Sequence, residues 1–406
     1  MQETSGSTIN DPRRNSLASR SPLLVPSSSC HPERSEAPAE RSRRPALSVV
    51  EGTPPLRATP KAPTNFLALA LRHHRRISMP VSRLLLLALI AKLWFALPAM
   101  GQQPSAVPPI PIDATEELVR QAVSLVRAGD KLTPKAWPNG ARVAVCLSFD
   151  VDNELLWRRT PWPVPLSQGE YGATTGLPRV LDLLDRHSIP ASFYIPAMSA
   201  ALHPQMIQDI LQRKRHEIGV HGWMHENLTQ VNDAAKEEQL LTQSIEYLTK
   251  AIGKRPVGIR APAWEFSQST MEQIRKAGFL YDSSFMAMDE PYELLASGQK
   301  TGMIELPINW IADDYPYYEP EASGSLPDPE LVYEVYKGEF DVAYRERTMF
   351  ILTLHPHISG HRSRIAALEK LIVYMKAKPG VWFATLEQVA EYVKAQHKEL
   401  QANPSK

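Results

Sequence analysis

The chain has 406 residues, 43% of them hydrophobic, and a formal net charge of +1. That is enough apolar material for a large core, and roughly 100–200 residues per domain leaves room for two or three domains. Two cysteines exclude a disulfide-built scaffold. No Gly-rich phosphate-binding signature is present, and nothing in the charge pattern points to nucleic acid. The charge is uneven: residues 1–101 hold 14 Lys and Arg against 6 Asp and Glu, while residues 102–406 hold 31 against 38. A basic leader precedes an acidic body.

Residues 1–78 are rich in Ser, Pro and Arg ("SSSCHPERSEAPAERSRRP") and lack apolar periodicity, so disorder is expected there. Two readings stand for this stretch: an over-assigned start, with Met79 as the true first residue, or a genuine basic or targeting arm. Residues 79–101 then read as a signal peptide, with Arg83 as basic flank, an apolar run from Leu84 interrupted by Lys92, and Ala99 and Gly101 in a cleavage-site pattern. The apolar run is short for the ~20 residues that span a bilayer, and an uncleaved anchor is the alternative. Export to a periplasm or beyond is expected. Cys30 falls in the leader, leaving Cys146 as the lone thiol of the exported chain and a small core hydrophobe. Residues 102–137, opening on "QQPSAVPPIPID", read as a linker and N-terminal extension.

From 138 to 398 strand-like and helix-like segments alternate, and 399–406 is a tail. "RVAVCLSF", "ASFYIP", "EIGVHG", "PVGIR", "MIELPI" and "MFILTLHP" read as strands. "TTGLPRVLDLLDRHSIP", "PQMIQDILQRKRH", "AAKEEQLLTQSIEYLTKAIG" and segments near 269–277, 328–346, 362–377 and 385–396 read as helices. Such alternation predicts an α/β fold, a parallel sheet or barrel, whose functional groups gather at the carboxyl ends of the strands. Asp150 and Asp152, His221 and His225, Arg260, and His355 and His357 each follow one of four predicted strands.

"HGWMH" spaces His221 and His225 so that on a helix their rings would share a face. With one carboxylate they make three ligands and leave a position for water, as in catalytic zinc sites. Asp152 would be the ligand and Asp150 a base. Taken singly, His-x-x-x-His also marks many solvated helix faces, and paired loop acids also cap turns. Glu226 reads either as a carboxylate around the metal shell or as a capping group. "NWIADDYPYYEP" sets Trp310, Tyr315, Tyr317 and Tyr318 beside Asp313 and Asp314, which suits either a sugar-binding wall or packing.

"SFDVD", "HGWMHE", "GIRAPAWEFS", "YDSSF", "INWIADDYPYY" and "LTLHPHISGHRSR", in that order, resemble the polysaccharide deacetylases, the NodB-like carbohydrate esterases. The likeness is closer to their branch with allantoinase-like and peptidoglycan-deacetylase-like members. The resemblance spans roughly residues 138–396. It implies a distorted (β/α) barrel of the NodB type and a divalent metal, Zn2+ or another such as Co2+. It further implies Asp150 as general base oriented by Arg260, a metal triad of Asp152, His221 and His225, and His355 as general acid. Trp264 would form a substrate wall, with Trp310 and Tyr315 as further candidate substrate contacts; His357 reads either as a substrate contact or as a packed or solvated histidine, and Asp282 and Ser283 either as a pair near the site or as a turn. The implied reaction is attack of activated water on an N-acetyl amide of an amino-sugar polymer or oligomer, releasing acetate and a free amine. Val151 separates the two acids that commoner members place side by side, and His361 stands after "SG" where relatives often carry Arg. A homo-oligomer is implied by the branch, and membrane contact only through an uncleaved anchor. The alternatives are a hydrolase of a small non-sugar amide or ureide, and a carbohydrate-binding pseudoenzyme.

Overall fold

A computed structural model describes residues 110–231, 233–319 and 324–397. The leader, the signal-peptide reading of 79–101, the first part of the linker and the tail lie outside the described residues. Among those described, no helix is long and apolar enough to cross a membrane.

The strand "VAVCLSFD" is β2 (Val143–Asp150), buried along its whole length. Alternation divides its side chains between two environments. Val143, Val145, Leu147 and Phe149 join the core shared with the helices, while Ala144 and Cys146 join a second cluster with Tyr194, Tyr281 and Ile304. On that second parity the strand ends in Ser148 and Asp150, so the opening acid is carried on the same face as Cys146. Burial pushes the Cys146 thiol far up, with the Glu217 charge adding to it, which agrees with its expected role as an inert core side chain.

Around β2 run β3 (Ser192–Ile195), β4 (Glu217–Val220), β5 (Gly258–Ile259), β6 (Tyr281–Asp282) and β8 (Gln299–Glu305), all parallel in that order. β9 (Met349–Leu354) lies on the other edge of β2, and β10 (Val381–Phe383) pairs with its first residues. The curl brings the two ends of the series together: Asp313, downstream of β8, bridges to Thr353 on β9. Helices such as Leu177–His187, Ala234–Ile252 and Pro329–Glu346 cover the outside. This is the distorted (β/α) barrel expected from the sequence.

Three elements differ from the sequence reading. The extension is partly built in: the helix Glu116–Val123 is followed by β1 (Val126–Lys131), antiparallel to β7 (Tyr292–Ala296). "VRAGDK" has no apolar run to announce a strand; pairing with the β7–β8 hairpin makes it one. The hairpin turns at Ser297 and Gly298, both with positive φ. Finally, "HGWMH" is a loop and not the start of a helix.

The segment joining β2 to the rest of the barrel packs through glycine. A methyl group on Gly176 would fall on the Pro356 carbonyl, and one on Gly360 would fall on the Gly176 Cα. The Leu177–His187 helix start and the His355–Gly360 turn therefore approach backbone to backbone. Gly176→Ala is expected to lower stability by about 1–3 kcal/mol through overpacking, read as a lower denaturant midpoint. An unchanged midpoint would show that this contact gives way.

Candidate active site

Arg260 follows β5 and is completely buried. Burial opposes its charge, but Asp150 holds the guanidinium above its ordinary pKa. Nη1 donates to Asp150 Oδ1 at 2.6 Å, Nη2 to Ser148 Oγ and Ser283 Oγ at 3.1 and 3.0 Å, and Nε to the Ser283 carbonyl at 3.0 Å. The Tyr194 ring lies beneath, 4.2 Å from Cζ. Asp150 is thus fixed in orientation by a partner that never loses its proton.

Two residues on, Asp152 sits 3.4 Å from His221 Nε2 and 3.7 Å from His225 Nε2. The His221 ring is set from behind: its Nδ1 lies 2.8 Å from the Arg260 carbonyl. A carbonyl accepts only, so Nδ1 carries a proton and Nε2 faces Asp152. His225 is brought round by a tight loop, with Gly222 and His225 both at positive φ. The Glu226 carboxylate closes that loop by accepting from the Trp223 and Met224 amides. This is the capping reading of Glu226, and the two imidazoles converge through a turn, not a helix face.

One donor atom from each of Asp152, His221 and His225 lies within 4.8 Å of the others. Asp152 Oδ1 is buried without a hydrogen bond. Burial alone would raise this carboxyl, yet His225, His221 and His355 together hold it far below its usual range. A carboxylate facing two imidazole nitrogens, with one buried oxygen free of hydrogen bonds, is an arrangement that could hold a cation. The N2O donor set suits zinc or a similar divalent metal.

His355 follows β9 and faces this group, with Nε2 3.8 Å from Asp152. Its Nδ1 is 2.7 Å from Asp314 Oδ1, and Asp314 Oδ2 accepts from the His355 amide and the Ser359 hydroxyl. Burial disfavours the imidazolium, but Asp314 outweighs it and raises His355 to about 10. A proton-bearing Nε2 therefore points at the cavity. The role of Asp314 was not read from the sequence; the signal was the acid pair after the "MIELPI" strand, which in one dimension looked like part of an aromatic wall.

These groups share an open cleft of about 470 Å³. Trp264 and Trp310 form one wall, centroids 4.1 Å apart and tilted by 31°, and Leu156, Ala263 and Tyr315 complete the apolar lining. Ala263 and Trp264 both have φ near +55°, a strained conformation that aims the indole into the cleft. A second cleft beside Met288, Glu339 and Phe350 contains none of the imidazoles, so chemistry identifies the site. His357, expected as a substrate contact, is not among the lining residues. It is buried edge-on to Trp157 and His355, and burial followed by the His355 charge lowers its pKa to about 3. The residue after it in the helical turn enters the core, and the ring follows inward. His361 stacks on Tyr171 at 4.2 Å, while Arg179 supplies a guanidinium to the Gly360 carbonyl.

A family profile described as polysaccharide deacetylase matches residues 167–281. The chain is 31% identical over 282 residues to the peptidoglycan deacetylase of Helicobacter pylori, covering 61% of this chain and 95% of that one. Among solved structures it is similar to a Mycobacterium smegmatis protein assigned to the polysaccharide deacetylases, with TM-score 0.61, 36% identity, and 66% and 96% of the two chains covered. It is also similar to Puue allantoinase, with TM-score 0.58, 26% identity, and 64% and 93% covered.

Behind Ser283 a second acidic pair is buried. Asp282 accepts from the Ser284 amide and hydroxyl, and Glu305 Oε1 from the Ser284 and Phe285 amides. Burial raises Asp282 to about 6, and burial with the Asp282 charge raises Glu305 well above its ordinary value. The folded pair therefore binds more protons than the unfolded chain, whose carboxyls titrate near about 4. Its stabilising contribution is full at low pH and is lost as pH rises through the folded values. Denaturant unfolding should show this loss as pH rises from about 4 through about 6 and beyond, and Glu305→Gln should flatten it; an equally steep slope in the variant would refute the assignment.

Proposed function

This chain belongs to the polysaccharide deacetylase family of amide hydrolases, and on that footing we propose that it is an exported, zinc-dependent enzyme removing acetyl groups from N-acetylated amino sugars. A peptidoglycan- or chitin-like polymer or oligomer is the proposed substrate. The observation that carries the reading is the convergence, in one cleft, of a fixed carboxylate, a proton-bearing imidazole and a three-ligand group beside a tryptophan pair. The names of the relatives support the sugar: peptidoglycan deacetylases and a chitooligosaccharide deacetylase. The ureide alternative has its own support in the allantoinase likeness, but the aromatic pair and the complete ligand triad favour the sugar.

Asp152, His221 and His225 would hold the metal, which when bound would supply Lewis acidity and lower the pKa of water. Asp150 takes the proton of the attacking water, since Arg260 aims the carboxylate through Oδ1 while leaving Oδ2 towards His221. His355 gives its Nε2 proton to the departing nitrogen, and Asp314 holds the tautomer and the ring. The tryptophans seat the sugar face by stacking. No side chain is required as a nucleophile.

Release of acetate from N-acetylglucosamine oligomers or peptidoglycan should vanish with chelator, return with zinc, and fall by roughly 10²–10⁴-fold in Asp150→Asn. Silence on every sugar despite bound zinc would turn the reading towards small amides, and silence without zinc binding towards a pseudoenzyme.

Export rests on the basic, apolar and small-residue pattern of residues 79–101. The mature protein should begin near Gln102 when its N-terminus is sequenced from a secreting host; retention of the apolar run would indicate an anchor instead.

A further inference from the structure

Three carboxylates line the cleft: Asp150, Asp152 and Asp313. The first two have work in the reaction proposed above, and Asp313 has none. It is 1% exposed, and its backbone is pinned where the barrel closes, by the bridge to Thr353 and by the adjacent Asp314 amide donating to the Thr353 carbonyl at 3.2 Å. Oδ1 accepts from the Tyr315 amide at 3.0 Å. Among the described residues, nothing hydrogen-bonds the other oxygen. A carboxyl oxygen on a cleft wall is where a ligand can supply a further partner.

Its position says which part of a ligand that is. Asp313 lies 3.7 Å from His355 Nδ1 and next to Trp310 and Tyr315 on the lining. His355 serves the departing nitrogen, whereas the acyl carbon must sit by the Asp152, His221 and His225 group. Asp313 is therefore on the amine side of the scissile bond, where an amino sugar presents the hydroxyls flanking its nitrogen-bearing carbon. Burial, opposed by His355 and reinforced by Asp314, raises the carboxyl to about 8, which equips it to donate as well as accept.

We propose that Asp313 is a substrate-contacting residue that hydrogen-bonds the sugar hydroxyl vicinal to the N-acyl group, making a free neighbouring hydroxyl a specificity requirement of this site. The inference rests on the deacetylase reading. The test is a cycle of kcat/KM values for wild type, Asp313→Ala and Asp313→Asn on an N-acetylglucosamine oligomer and on its 3-deoxy counterpart. Asp313→Ala should cost about tenfold or more on the hydroxylated sugar, chiefly in KM, and nearly nothing on the 3-deoxy sugar, while Asp313→Asn should recover most of the loss. An equal loss on both sugars would overturn the proposal and leave Asp313 acting only through His355. Absence of wild-type turnover on either sugar would instead bring down the deacetylase reading and this inference with it.

Discussion

The buried pair of Arg260 and Asp150 is the constraint on which the rest of the site depends. Both partners are out of water, and neither is tolerable alone: removing one side of such a pair typically costs roughly 3–5 kcal/mol because the other charge is stranded. Arg260 answers this by spending its donors on β2 and β6 at once, through Ser148, Asp150 and Ser283. Three strand ends are thereby locked together. The Arg260 carbonyl then fixes the His221 ring, so the residue that orients the proposed base also orients a proposed metal ligand.

Charge is partitioned in the same manner across the cleft. Asp150 is matched by Arg260, Asp152 by two imidazoles, and Asp314 by His355. These pairings let the carboxyls and histidines crowd a small volume without a large field of one sign. The pairing also separates the proposed roles: the acid proposed to accept a proton is held in place by a guanidinium, and the imidazole proposed to give one is raised by a carboxylate. Divergent environments of this kind are how acid and base chemistry coexist at one pH.

Beneath the cleft the barrel interior is polar where a simple core would be apolar. Tyr194 underlies Arg260, its hydroxyl meets that of Tyr281, and Glu217 accepts from Tyr281, from Ser192 and from the Glu387 amide. The network runs from the catalytic rim to the start of the helix Leu386–Gln396. Satisfied networks of buried groups restrict a site to one arrangement, and here the platform for Arg260 is itself anchored at the opposite end of the barrel.

The sequence by itself determined the alternation of strands and helices, the strand ends at which acids and imidazoles would appear, and the family motifs around Asp150, His221, Arg260 and His355. These were legible because burial imposes a local period and because strand-end chemistry is local in the chain. Several features were decided only in three dimensions. "VRAGDK" became a strand because β7 offered an edge, and "HGWMH" became a turn because Glu226 folded back on its amides. His357 went inward although its neighbour His355 faces the cleft, since a turn following a strand sends successive rings to different sides. Above all, the partnership of Asp314 with His355 joins residues 41 apart in sequence. Periodicity reports what one segment buries, whereas a hydrogen bond between two strand ends depends on how the sheet curls, and no single segment encodes that closure.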